Sequence, residues 1–319
     1  MPAGGGAAAP YTGSTHSRRL GGRIAKISPS GVVTTVVKAL PSSQTSDATG
    51  NLVSGVSSVA FIGHKLYALL AGAGCSHGVP SIPNGVIKVG RHGTWRMIAN
   101  LSAFQKAHPV ANPDPEDFEP DGTWYSMISI DGALYPMDSN HGELDRVKPN
   151  GSITRVLDIS AVVGHVVPTA ITFNGKGKGH GHHGDRRGHA WQHHHGHPTF
   201  YIGNLGLFGP KDGTVPDEHV YKLTGSNHLR VHASGLEQVL GLAFMHGKLY
   251  ALEMSTTPGG PTPGTGAIVR IRHGRPAETV ASGLVFPTGM TAGKDALYIS
   301  EQGFGFPAGQ GRVLRVTVH

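Results

Sequence analysis

The chain has 319 residues, a formal charge of +7 and a single cysteine, Cys75, so neither an intramolecular disulfide nor a cysteine-based zinc site can form. Its 48 glycines and 22 prolines exclude long helices, and the short intervals between them carry Val, Ile, Leu, Tyr and Thr, which is the composition of an all-β protein. No apolar run of about 18 residues is present to span a membrane. Of the surplus charge, a net +3 sits in one segment (Lys176, Lys178, Arg186 and Arg187 against Asp185), which leaves +4 and no basic stripe to bind nucleic acid.

In chain order, residues 1–20 (MPAGGGAAAPYTGSTHSRRL) lack the apolar core of a signal peptide and read as a disordered segment. Then GGRIAKISPSG and VVTTVVKAL supply two strands. From residue 58 onward a fuller unit recurs, beginning with SVAFIG, LYALLAG, GVIKVGRHG and WRMIANL. It returns as SMISID, LYPMDSN, GELDRVKPNG and ITRVLDIS, and then as TAITFN, FYIGNLG, EHVYKLTGS and LRVHASG. The last two copies are GLAFMHG, LYALEMS, GAIVRIRHG and AETVASG, followed by TGMTAG, LYISEQG and GRVLRVTVH. Four short alternating strands per repeat, separated by turns such as PNG and RHG, describe a blade of a β-propeller.

Six copies of the third-strand motif predict a six-bladed β-propeller of four-stranded antiparallel blades, a single domain over residues 21–319. The first blade reads as incomplete, with no first or second strand ahead of GGRIAKISPSG, and the last lacks its outer strand. The sequence therefore reads as shortened at its N-terminus, and no export signal is present in the chain as given.

HVVPTAITF…FYIGNLGLF, SGLEQVLGLAF, TPGTGAIVRI and FPTGMTAGKDALYISEQGFGFPAGQGRVLRV together resemble the ScyD/ScyE family over about residues 20–319. The resemblance implies an NHL-like propeller that is exported, hence extracellular or periplasmic, and that normally starts with a signal peptide and a complete first blade. This chain departs from the family at that end. More distantly it is similar to streptogramin lyases and gluconolactonase-type propellers.

Aligned on the "LY" position, the second strands carry Leu70, Asp138, Asn204, Glu253 and Glu301 at the same place, where period-2 alternation calls for an apolar residue. The recurrence favours a structural latch: an oxygen that accepts from backbone N–H groups left unpaired where the chain passes between blades. Two alternatives stay open. The oxygens could hold Ca²⁺ or Mg²⁺ at the mouth of the central channel. Or Glu253, Glu301 and Asp138 could serve as acid and base in a lyase or hydrolase.

The first strands begin at Ser57, Trp124–Tyr125, Pro168–Thr169, Leu240 and Pro287–Thr288, residues without the acidic ligands that a gluconolactonase-type metal site would use. Trp124, Tyr125, Thr169, Asn204 and Thr288 are the expected ligand-binding residues of a mouth suited to a small, partly apolar molecule or a protein partner. The insertion at 175–198, between the first two strands of the fourth blade, holds eight of the 21 histidines. Among them His180, His182, His183, His193, His194, His195 and His197 are candidate ligands for Zn²⁺, Ni²⁺ or Cu²⁺. His141-Gly-Glu143 has no CxxC to complete a deaminase zinc site. The reading is a monomeric binding or scaffold propeller with no demonstrable catalytic set.

Overall fold

The strands read from the repeats form six antiparallel sheets, the blades of a propeller. The computed structural model describes residues 19–46, 51–115, 118–174, 198–206, 218–225, 227–258, 260–307 and 309–318. Blade 1 comprises β1 (Arg19–Ile27), β2 (Val33–Ser46) and β3 (Asn51–Ser54), and blade 2 comprises β4 (Val56–Ile62), β5 (Lys65–Leu70), β6 (Gly85–Val89) and β7 (Trp95–Asn100). A helix, α1 (Leu101–Ala107), follows, and then blade 3 is built from β8 (Trp124–Ile130), β9 (Ala133–Asp138), β10 (Glu143–Val147) and β11 (Ile153–Asp158). After a short helix α2 (Ser160–Val163), blade 4 holds β12 (Pro168–Asn174), β13 (Thr199–Asn204), β14 (Val220–Thr224) and β15 (His228–Ala233). Blade 5 holds β16 (Val239–Met245), β17 (Lys248–Glu253), β18 (Gly266–Arg272) and β19 (Arg275–Leu284), and blade 6 holds β20 (Gly289–Ala292), β21 (Leu297–Glu301) and β22 (Arg312–Val316).

Alternation along each strand sends successive side chains into two different interfaces. In β9, Leu134 packs toward blade 2 with Tyr67, Val86 and Trp124, whereas Tyr135 and Met137 pack toward blade 4 with Ile171, Phe200 and Tyr221. Equivalent clusters join blades 1 and 2 (Leu40, Leu70, Ile87), blades 4 and 5 (Val239, Leu242, Val269) and blades 5 and 6 (Leu252, Ile268, Leu297). Each such fully buried side chain contributes about 1.5–3 kcal/mol. Among the described residues no cluster of this kind joins blade 6 to blade 1, and β22 pairs only with β21.

Blade 1 is incomplete, as expected, but differs in detail from the sequence reading. β2 runs on to Ser46 and pairs with a third strand, β3, through Ser43↔Ser54 and Gln44↔Val53. Helix α1 was not anticipated; its start is fixed by Asn100, whose side chain accepts a hydrogen bond from the Ala103 N–H (2.9 Å).

A register shift recurs where the inner strand of a blade begins: Val56/Ser58, Trp124/Ser126, Pro168/Ala170 and Val239/Gly241. Such bulges re-aim the side chains beside them. Ser57, Tyr125, Thr169 and Leu240 occupy the inserted positions.

Residues 1–18 of the expected N-terminal segment, and all seven candidate histidines between His180 and His197, lie outside the described residues. The flanks of the insertion are paired, Asn174↔Thr199 being the last rung of the β12–β13 hairpin. Replacing 175–198 by Asn-Gly should therefore keep the fold and recover up to about 2 kcal/mol of loop-closure entropy. Thermal melts should show an equal or slightly higher Tm, and retention of the untagged protein on a nickel column should be lost. Loss of cooperative unfolding would mean that the insertion is packed structure.

Candidate functional site

The four polar residues of the column end the second strands of their blades, and all are buried. Each gives an oxygen to a backbone N–H that no ladder satisfies. Asp138 Oδ1 accepts from Thr123 N–H and Asn140 N–H, both at 2.9 Å. Asn204 Oδ1 accepts from His219 N–H at 2.7 Å, Glu253 Oε1 from Glu237 N–H at 2.7 Å and Glu301 Oε2 from Val285 N–H at 3.1 Å. In blade 2 the column position is Leu70, and the equivalent service comes from a residue that the repeat alignment does not reveal. Asn84 Oδ1 accepts from Ala73 N–H (2.8 Å), while its amide donates to the Gly122 carbonyl (3.1 Å).

The column carboxylates meet different surroundings. Glu301 is paired with Arg312, through Nε at 2.6 Å and through the terminal guanidinium nitrogen at 2.5 Å. Glu253 has the Glu237 N–H but no cation, so burial pushes its carboxyl up to about 7, and the nearby Glu237 charge adds to the rise.

At the channel face, where the first strands begin, the geometry separates the two aromatic residues that sequence placed together. Trp124 is fully buried in the core between blades 2 and 3. Tyr125, at the bulge, joins a separate apolar cluster of Leu205, Leu240, Met254, Phe286, Phe304 and Phe306. Its hydroxyl donates to the Thr288 carbonyl (2.9 Å), a bond from blade 3 to blade 6, and burial raises the phenol pKa well above its ordinary value. Phe286 meets Phe304 and Phe306 edge-on, with centroids 5.6 and 6.3 Å apart. Thr169 Oγ1 donates to the Val239 carbonyl (2.5 Å) and Ser139 Oγ to the Pro168 carbonyl (2.6 Å), so these hydroxyls stitch neighbouring blades together.

Blade 3 holds a second constellation. Glu143 pairs across the ladder with Asp138, and Asp145 follows two residues along the same face of β10. All three carboxylates are completely buried. Arg155 Nε binds Glu143 Oε2 at 2.5 Å, and Gln105, carried in by α1, donates to Asp138 Oδ2. His141 stacks on Phe118, with Nε2 2.9 Å from the Glu119 carbonyl and Nδ1 4.0 Å from Asp138 Oδ2. Burial, then the neighbouring Asp138 charge, raises the Glu143 pKa against the pull of Arg155, and burial together with Glu143 pushes Asp145 up to about 8. Asp138, His141 and Glu143 place donor atoms within 4.8 Å of one another and could hold a metal ion. Sequence reading missed Gln105 and Asp145, which belong to no repeat column; the HxE spacing of His141 and Glu143 was the one visible signal.

The sequence matches no protein-family model and no curated protein. In three dimensions the chain is similar to a candidate oxidoreductase (glucose dehydrogenase) from Thermus thermophilus, with TM-score 0.56 and 16% identity over 92% of this chain and 90% of that one. It is also similar to a gluconolactonase from Xanthomonas campestris (TM-score 0.54, 9% identity, 94% and 80% covered). A chain of the nidogen–laminin complex gives TM-score 0.54 and 11% identity, with 90% and 84% covered. At these identities the likeness shows the propeller fold alone.

The isolation of Glu253 from any cation has a consequence for stability. Its folded pKa, about 7, lies above its ordinary value of 4.5, so the folded state holds a proton that the unfolded chain releases. The contribution of this group to stability therefore declines as pH rises from about 4.5 to about 7 and is constant beyond, by about 3 kcal/mol in all. Glu253→Gln keeps the acceptor for Glu237 N–H and removes the titration. Urea unfolding at a series of pH values should show wild type losing about 3 kcal/mol relative to the variant across that window; parallel curves would contradict the assignment.

Proposed function

We propose that this protein is a binding propeller of the ScyD/ScyE type, exported or envelope-associated, that holds a small, partly apolar ligand over the channel mouth. The observation that carries the reading is the apolar cluster of Tyr125, Leu205, Leu240, Met254, Phe286, Phe304 and Phe306 at that face. It provides aromatic edges and faces of the kind that line small-molecule sites. The column oxygens beside it, Asp138, Asn204, Glu253 and Glu301, accept from backbone N–H groups, which supports their role as latches rather than as a Ca²⁺ or Mg²⁺ ring.

One observation favours the enzyme reading. Glu253, with its carboxyl near 7, has the poise of a general acid or base next to Met254 of the apolar cluster. A gluconolactonase is among the similar folds, so lactone hydrolysis is the reaction to assay.

The two readings part on one pair of measurements. Binding of 1-anilinonaphthalene-8-sulfonate to the folded protein, followed by fluorescence, should weaken about tenfold in Phe306→Ala, the loss of roughly one aromatic contact. Glu253→Gln should leave that binding unchanged. Hydrolysis of a small lactone above background in wild type, lost in Glu253→Gln, would overturn the binding-protein reading.

A further inference from the structure

The carboxylate cluster of blade 3 is built as though something is to occupy it. Glu143 Oε1, both oxygens of Asp145 and Gln105 Oε1 are buried without a hydrogen-bond partner. Three buried carboxylates, Asp138, Glu143 and Asp145, face one paired guanidinium, that of Arg155. Buried charges persist in proteins when they are paired or bound to a metal. The Glu119 carbonyl can only accept, so His141 Nε2 donates to it, and Nδ1 is the ring nitrogen on the side of Asp138. Gly122 closes the site on one side: a Cβ there would lie 2.5 Å from both Asp138 Oδ2 and Gln105 Oε1, so the backbone packs around the space beside these two oxygens too tightly for any larger residue.

We propose that this space takes up one divalent cation of the Mn²⁺ or Zn²⁺ class, held by Asp138, His141 and Glu143 with Gln105 Oε1 as a fourth donor. The three donor atoms within 4.8 Å of one another need little movement to sit about 2.1 Å from a common ion. Carboxylates with one imidazole and an amide form a mixed oxygen and nitrogen set, which suits Mn²⁺ or Zn²⁺ better than Ca²⁺ with its six to eight oxygens. The Gln105 amide turns to present Oε1 in place of Nε2. The donors come from α1 and from both sides of the β9–β10 turn, and Glu119 and Gly122 close the site from the connector between blades 2 and 3. The ion therefore fastens that connector onto the sheet of blade 3. This site lies on the second and third strands of its blade and shares no residue with the apolar cluster of the mouth.

Mn²⁺ is the discriminating probe, because the histidine-rich segment at 175–198 offers imidazoles, which prefer Zn²⁺, Ni²⁺ and Cu²⁺. The full chain, stripped with EDTA and dialysed, is titrated with MnCl₂ while free Mn²⁺ is followed by electron paramagnetic resonance. One ion per chain should bind, at least tenfold more weakly in Glu143→Gln and Gln105→Met, with a Tm rise on Mn²⁺ in wild type that both variants lose. Ca²⁺ at equal concentration should leave the bound Mn²⁺ in place. A folded full chain that binds no Mn²⁺, equal affinity in wild type and both variants, or displacement by equimolar Ca²⁺ would overturn the proposal. If Glu143→Gln fails to fold by circular dichroism, Gln105→Met and His141→Gln carry the comparison, and undiminished affinity in both overturns it.

Discussion

A backbone N–H just ahead of a strand, or just past one, cannot be paired by the sheet ladder. Leaving it unmet costs about 1–3 kcal/mol, so a side chain has to bring it an acceptor. Asp138, Asn204, Glu253 and Glu301 are four answers to that demand, and the differences among them follow from what else each oxygen finds. An amide in blade 4 needs no countercharge. In blade 6 the carboxylate has Arg312, and in blade 3 it has two N–H groups and the Gln105 amide. Glu253 is left with a single N–H and, among the described residues, no cation, and burial moves its carboxyl toward neutrality. The poised acid near the mouth is thus a by-product of architecture before it is anything else.

The same demand explains what sequence could and could not reveal. Strand identity was legible because period-2 alternation in stretches such as LYALLAG and LYALEMS is strong, and because four of the five copies put a polar intruder at one offset. Blade 2 escaped the rule. Its column residue is Leu70, and Asn84, just ahead of β6, accepts instead from Ala73 N–H beyond the end of β5, a different N–H at a different spacing that alignment does not show. Trp124 and Tyr125 were indistinguishable as neighbours at a strand start. The bulge between Trp124 and Ser126 changes the register there, so that one ring enters the core between blades 2 and 3 and the other joins the mouth cluster. No one-dimensional pattern marks such an inserted position. The third-blade cluster was obscure for another reason: Gln105 reaches it from a connector helix, α1, whose counterpart after β11, α2, is only four residues long.

The ring is regular in its ladders and uneven in its chemistry. Buried ionisable groups gather on the blade 3 side, with Asp138, His141, Glu143 and Asp145, while the apolar side chains at the channel face come mostly from blades 5 and 6, with Leu240, Met254, Phe286, Phe304 and Phe306. Such a division does not follow from the repeat, which would give every blade the same residues. Strand residues such as Asp138, Glu143 and Leu240 carry part of it, and the segments between strands, which are free to vary because the ladders do not depend on them, carry the rest. The long connector from α1 to β8 covers the carboxylates, and the segment after β21 delivers Phe304 and Phe306.

What joins the two halves is one side chain. Tyr125 begins on the blade that carries the carboxylates, packs among the rings of the opposite side and gives its hydroxyl proton to the Thr288 carbonyl at the start of blade 6. A tyrosine suits the position because it is apolar along its length and polar at its tip, so it can cross a dry region and still satisfy a carbonyl at the far end. Phenylalanine would fill the space and leave that carbonyl unmet; a shorter polar residue would reach nothing. The bulge that turns Tyr125 toward the mouth also turns Trp124 into the interface beside Leu134 and Val147, next to the strands that hold Asp138 and Glu143. Two adjacent residues of one strand thus pack on opposite sides of it, Trp124 against the strands that hold the carboxylates and Tyr125 in the mouth cluster.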